Sequence, residues 1–144
     1  YIGRKEFKEI KIIIRKIQLL TVVFLIVFFH GAILYPETMI SMVNPNPEYM
    51  QQSVAILRFI FGSVLICGVG SVYFHSINGT GNTRYTFYVE VIAVVLYMIS
   101  AYLLLKIYQV ELFWVWSVEY IYFGSIGIFS FIYMRFFNWQ KKQI

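Results

Sequence analysis

An all-α membrane protein with four transmembrane helices is what this sequence predicts, on three observations. Of 144 residues, 60% are hydrophobic and only 13% charged, too few charges to cover a soluble domain of that size. No charged residue occurs from Ile17 to Pro36 or from Phe59 to Thr83, and about 20 apolar helical residues cross a hydrocarbon core of roughly 30 Å. The 12 Lys and Arg, against 7 Glu and no Asp, gather in a few places. That clustering reads as membrane topology, since no basic groove with interleaved aromatics points to nucleic acid.

The first element is basic and amphipathic. Arg4, Lys5, Lys8, Lys11, Arg15 and Lys16 accompany Phe7, Ile10 and Ile14 at spacings of three and four, which predicts a helix over 4–16 lying at the membrane surface. No small-residue cleavage site follows, so the next apolar run reads as a span and not as a secretory leader. The opening Tyr1 raises the expectation that the chain is processed or is a piece of something longer. Span one covers 17–35, with His30 near its far end as an interfacial side chain. The polar interlude after it is punctuated by Pro36, Pro45 and Pro47. Asn46-Pro47-Glu48 predicts a helix start: Asn46 as N-cap, Pro47 at the first position and Glu48 in the first turn, where the helix dipole favours an acid.

Span two covers 53–78. Arg58 falls about 7 Å inside it at the helical rise, a depth from which an arginine snorkels back to the interface. Ser63, Cys67 and Ser71 recur every fourth residue among Gly62, Gly68 and Gly70, a pattern of small residues that lets helices approach closely in lipid. Cys67 is the one cysteine, which excludes a disulfide framework and a cysteine-based metal site and reads as a buried packing residue. The stretch Asn78-Gly79-Thr80-Gly81-Asn82-Thr83-Arg84 then closes one helix and opens the next. Gly79 and Gly81 are where a positive φ is least costly, and Asn82 or Thr83 can cap the helix that follows. Span three covers 85–107 with Glu90 as its internal charge, 109–111 form a short turn, and span four covers 112–137 with Glu119 inside it. Trp114 and Trp116 at one end of span four and Trp139 at the other fit interfacial aromatic belts, and Gly124, Gly127 and Ser130 give it a small-residue face. Alternating spans place Arg84, Arg135, Lys141, Lys142 and the six basic residues of 4–16 on one side, which the positive-inside rule makes the cytoplasm; both termini are expected there.

Paired carboxylates with hydrolytic spacing, Cys/His metal patterns, a Ser/His/Asp set and a P-loop are all absent in recognisable form. Gly79-Thr80-Gly81 lacks the lysine and the preceding strand of a nucleotide loop. Neither an enzyme nor an organic cofactor is expected. A carboxylate inside a membrane helix is costly and therefore a functional candidate, so Glu90 and Glu119, with His75 and Arg58 as possible partners, are the candidate coupling or substrate-contact residues. Counted along their helices, Glu119 lies about 10 Å from the outer side and Glu90 about 8–9 Å from the cytoplasmic side, which argues against one shared cation. Arg58 matches the depth of Glu119, and His75 can face Glu90 across the elbow. Structural pairing and proton or substrate coupling both remain open for the two acids.

The order of these features resembles the C-terminal third of a multidrug and toxic compound extrusion (MATE) transporter. In that family a Gly-x-Gly-Asn/Asp-Thr-Arg elbow links the tenth span to the eleventh, and here Gly79-Thr80-Gly81-Asn82-Thr83-Arg84 is similar to it. Ile2-Gly3-Arg4-Lys5-Glu6-Phe7-Lys8-Glu9 resembles the segment before the ninth span. Leu34-Tyr35-Pro36-Glu37 and Asn46-Pro47-Glu48 look like the external segment after that span, and Val115-Trp116-Ser117-Val118-Glu119 looks like the start of the twelfth. The resemblance implies a twelve-helix, two-lobe transporter fold, of which this chain supplies the last four helices and needs the preceding eight as its partner. It also implies export of small organic, often cationic, compounds by antiport with H⁺ or Na⁺ across a bacterial inner membrane. Several members carry a cation-binding acid in the tenth helix, whereas 59–78 contains neither Asp nor Glu. Glu90, Glu119 or an acid in the other lobe is left for that role. Two other readings share the helix pattern: a flippase of related fold moving lipid-linked saccharides, for which a lipid-sized groove lined by basic residues would speak, and a small four-helix membrane protein with a structural or assembly role.

Overall fold

The structure, a computed structural model, describes residues 7–137, with side chains from Glu9 onward. Arg4, Lys5, Trp139, Lys141 and Lys142 lie outside the described residues. The chain is all-α as predicted, without a strand among the described residues, and four of its helical segments are long and apolar enough to cross a membrane. These are Glu9–Phe29, Pro47–Gly79, Thr83–Ile107 and Leu112–Phe136.

Helix α1 runs from Phe7 to Phe29 without a break. The expected division into a surface helix and a span at 16/17 is therefore not seen over the described residues. Charge gives way to apolar side chains there, but nothing interrupts backbone hydrogen bonding, because no Pro or Gly occurs between Phe7 and Phe29. Ile10 and Ile14, on the apolar face of the expected surface helix, are buried in a cluster with Ile77, Tyr133 and Met134. The basic part of α1 is thus packed against the bundle.

α1 also stops earlier than expected, at Phe29, and short helices α2 (Gly31–Leu34) and α3 (Pro36–Ser41) occupy the start of the polar interlude. His30 sits at the joint. Its Nδ1 is 2.5 Å from the Val27 carbonyl, and its Nε2 takes a hydrogen bond with the Tyr35 hydroxyl. A ring that donates through Nδ1 to a carbonyl accepts through Nε2, so His30 is held as a structural side chain, in line with the interfacial reading.

The 3₁₀ turn Pro47–Tyr49 leads into α4 (Met50–Gly79), and Asn46 caps it as its sequence predicts, with Oδ1 accepting from the Glu48 amide at 3.0 Å. α5 (Thr83–Tyr102) continues through a π-helical turn, Leu103–Ile107, into a tight reversal where Gln109 takes φ 48°. α6 (Leu112–Val115) and α7 (Ser117–Phe136) complete the fourth span.

α4 and α7 form the centre; α1 lies on α4, and α5 lies on α7. The small residues set these distances. A Cβ on Gly70 would come 2.9 Å from the Gly127 Cα, so α4 and α7 touch backbone to backbone there. Gly68 faces Leu25 and Thr21 of α1, and Gly62 lies under the Tyr120 ring, whose hydroxyl donates to the Phe59 carbonyl at 2.5 Å. The hydroxyls in this stripe need no partner helix: Ser63 donates to Ile60 and Ser71 to Gly68 within their own helix. Gly124 faces open space and is not part of the contact.

Candidate functional site

On α5 the buried residues are Thr86, Val89 and Ala93, a helical stripe that faces α7. Glu90 sits four residues after Thr86 on the flank of that stripe and is carried into the α5–α7 seam, half-buried. Tyr122 projects from α7 into the same seam. Its hydroxyl donates a hydrogen bond to Glu90 Oε1, and its ring meets the edge of Tyr97, two turns further along α5, with centroids 5.9 Å apart. Glu119 lies three residues earlier on α7, one turn away, and Glu119 and Cys67 of α4 both fall within electrostatic range of the Tyr122 phenol. The site is thus a carboxylate held by a phenol, with a second carboxylate one turn along α7 from that phenol and, among the described residues, no cation paired with either.

Neither structural pairing weighed for the acids is formed among the described residues. Arg58 is exposed and reaches the Ile33 carbonyl at 3.5 Å, the long limit of a hydrogen bond, so it turns toward the α1–α2 joint and away from Glu119. His75 is exposed and lies against Phe74, ring edge to face, with centroids 5.7 Å apart; Glu90 takes Tyr122 instead. Depth along a helix is one coordinate and the direction a side chain faces is another, and the second decides partners. The Glu119 carboxylate makes no ion pair or hydrogen bond among the described residues; its amide donates to the Trp116 carbonyl at 3.2 Å. Among the described residues, no group of three or more His, Cys, Asp or Glu converges to hold a metal ion.

The elbow lies at one end of the same seam. α4 ends at Gly79 and α5 starts at Thr83, so the link is short. Of the two glycines only Gly81 has a positive φ, 76°, while Gly79 ends the helix with ordinary geometry. Asn82 does not cap α5 with its side chain. Its Nδ2 donates instead to the Tyr133 hydroxyl at 2.8 Å, fastening the elbow to α7. Thr83 leaves its carbonyl 2.9 Å from Thr86 Oγ1, which also lies 2.6 Å from Asn78 Oδ1, so one hydroxyl ties the end of α4 to the first turn of α5. Arg84 is exposed beside this tie. Tyr85 adds a second link to α7, donating to the Phe129 carbonyl at 3.1 Å and setting its ring tilted against Tyr133 with centroids 4.3 Å apart.

Tyr122 and Tyr133 escaped the sequence reading. Their signal was available: a phenol in an apolar span must find an acceptor, and acceptors at membrane depth are few.

The MatE family model matches residues 1–103. The chain belongs to the MatE family. MatE proteins are membrane transporters, and four apolar helices fit part of one. The match takes in α1 to α5, and with them the elbow and Glu90; α7, which contributes Tyr122 and Glu119, follows it. No curated protein and no solved structure matched the chain.

Proposed function

We propose that this chain is the C-terminal four-helix portion of a MatE-type secondary transporter that exports small organic, often cationic, compounds in exchange for H⁺ or Na⁺. The family match over residues 1–103 carries that reading. It acts as a transporter and not as an enzyme, in a bacterial inner membrane with both termini in the cytoplasm, and is inactive without the other lobe, because substrate sites in such carriers lie between repeats near the bilayer midplane. Long apolar faces on α1 and α5, including Leu19, Leu20, Phe87 and Met98, are exposed and suit contact with lipid and with the preceding helices.

Glu90 is the proton-coupling group in this reading, and Tyr122 is its positioning partner. A carboxylate in a membrane helix without a counter-cation is suited to carrying a proton, and the phenol holds it in the seam between two helices that can shift. Glu119, one turn away, is the second acid available to the same path.

The test is efflux of a cationic dye by the complete protein in proteoliposomes, driven by an imposed pH or Na⁺ gradient. Glu90→Gln should abolish pH-driven exchange at unchanged membrane yield, and Tyr122→Phe should retain transport with a displaced pH profile. Wild-type exchange by Glu90→Gln would sink the assignment, and Glu119→Gln in parallel shows whether the role belongs to that acid. A groove lined by basic residues between α1 and α7 favours a second reading, a flippase of lipid-linked saccharides. Translocation of such a lipid in place of the dye would decide for it.

A further inference from the structure

The apolar cluster that buries Ile10 and Ile14 borders a groove, into which Ile14 and Met134 also face. The groove has a volume of about 490 Å³ and lies between α1 and α7 over Tyr73 of α4. Lys11 and Arg15, one turn apart on α1, face it from one side, and Arg135 of α7 faces it from the other. No carboxylate lines it, and none of these three cations makes an ion pair or hydrogen bond among the described residues. The floor is apolar: Ile12, Phe131 and the Tyr73 ring, the last two in edge contact with centroids 5.5 Å apart. Three unpaired cations above an aromatic floor thus stand where the apolar run of α1 begins, at Ile17, and where α7 ends, at Phe136. In a bilayer that level is the boundary between headgroups and acyl chains.

We propose that this groove binds one anionic phospholipid, its phosphodiester held by Lys11, Arg15 and Arg135 and the start of an acyl chain laid on Phe131 and Tyr73. Guanidinium groups take phosphate oxygens in paired hydrogen bonds, and basic pockets between membrane helices select anionic headgroups. A soluble anion would use the cations but gain nothing from the floor. A lipid uses both. The proposal rests on the antiport reading, under which the groove holds a resident lipid and not the exported compound.

The complete protein, purified in detergent and stripped of lipid, is titrated with short-chain phosphatidylglycerol and phosphatidylcholine, and bound lipid is counted by native mass spectrometry. Phosphatidylglycerol should be retained at least about tenfold better than phosphatidylcholine, and inorganic phosphate should not displace it. Combined Lys11→Gln, Arg15→Gln and Arg135→Gln should erase the preference, whereas Lys11→Arg, Arg15→Lys and Arg135→Lys should keep it. Equal retention of the two lipids by the wild type would overturn the proposal whatever the yield of the variants, and so would an undiminished preference in the neutralised protein. Displacement by inorganic phosphate would make it a free-anion site and overturn the lipid assignment too.

Discussion

Arg58 and Glu119 sit on helices that pack together, α4 and α7, yet the arginine turns to the Ile33 carbonyl and the two do not meet. Their substitutions should therefore act independently. In a double-mutant cycle on thermal unfolding, Arg58→Gln and Glu119→Gln should add within about 0.5 kcal/mol, the behaviour of residues without shared partners; rescue of one by the other would contradict this. The candidate acids could be found from sequence because a charge in an apolar run stands out by itself. Their partners could not. Glu90 and Tyr122 are 32 positions apart and meet only because α5 and α7 share a seam, which no local pattern encodes. His75 lost its expected role for the same reason: residues near one elbow can face different sides of it.

At the scale of elements, run length and punctuation made the four spans and the Asn46 cap readable. Joints were less so. α1 continues through the change from basic to apolar because helix continuity depends on the backbone, and the pattern of charge reports only the environment. The elbow lies between α4, which ends at Gly79, and α5, which begins at Thr83, but its two glycines are not equivalent. Gly81→Ala should cost about 1–2 kcal/mol, since its φ of 76° is left-handed and open space around it leaves only the backbone penalty. Gly79→Ala should be neutral, or stabilising by up to about 1 kcal/mol, because Gly79 is helical and alanine favours a helix. Thermal unfolding of the two single variants in detergent separates them, and equal losses would refute the distinction. A bulkier change belongs to the α4–α7 contact. Gly70→Leu has no room against Gly127 and should cost more than about 1–3 kcal/mol, the usual penalty for overpacking, because the obstacle is backbone that cannot rotate away. A folded yield equal to the wild type would show that the helices can part there.

Over the whole molecule, membership of a transporter family followed from the order of the spans and the elbow, whereas nothing in the pattern of four spans encodes what is carried. What the four helices do provide is a direction for movement. Where Gly70 meets Gly127 the two central helices leave no gap between their backbones, and an ion cannot pass between them. Under the proposed function this pair would tilt as one solid lever, with the slack taken up where α1 and α5 lean on it. Spin labels on the facing sides of α4 and α7 should hold one separation throughout a transport cycle, while labels on α1 and α5 should change theirs relative to that pair.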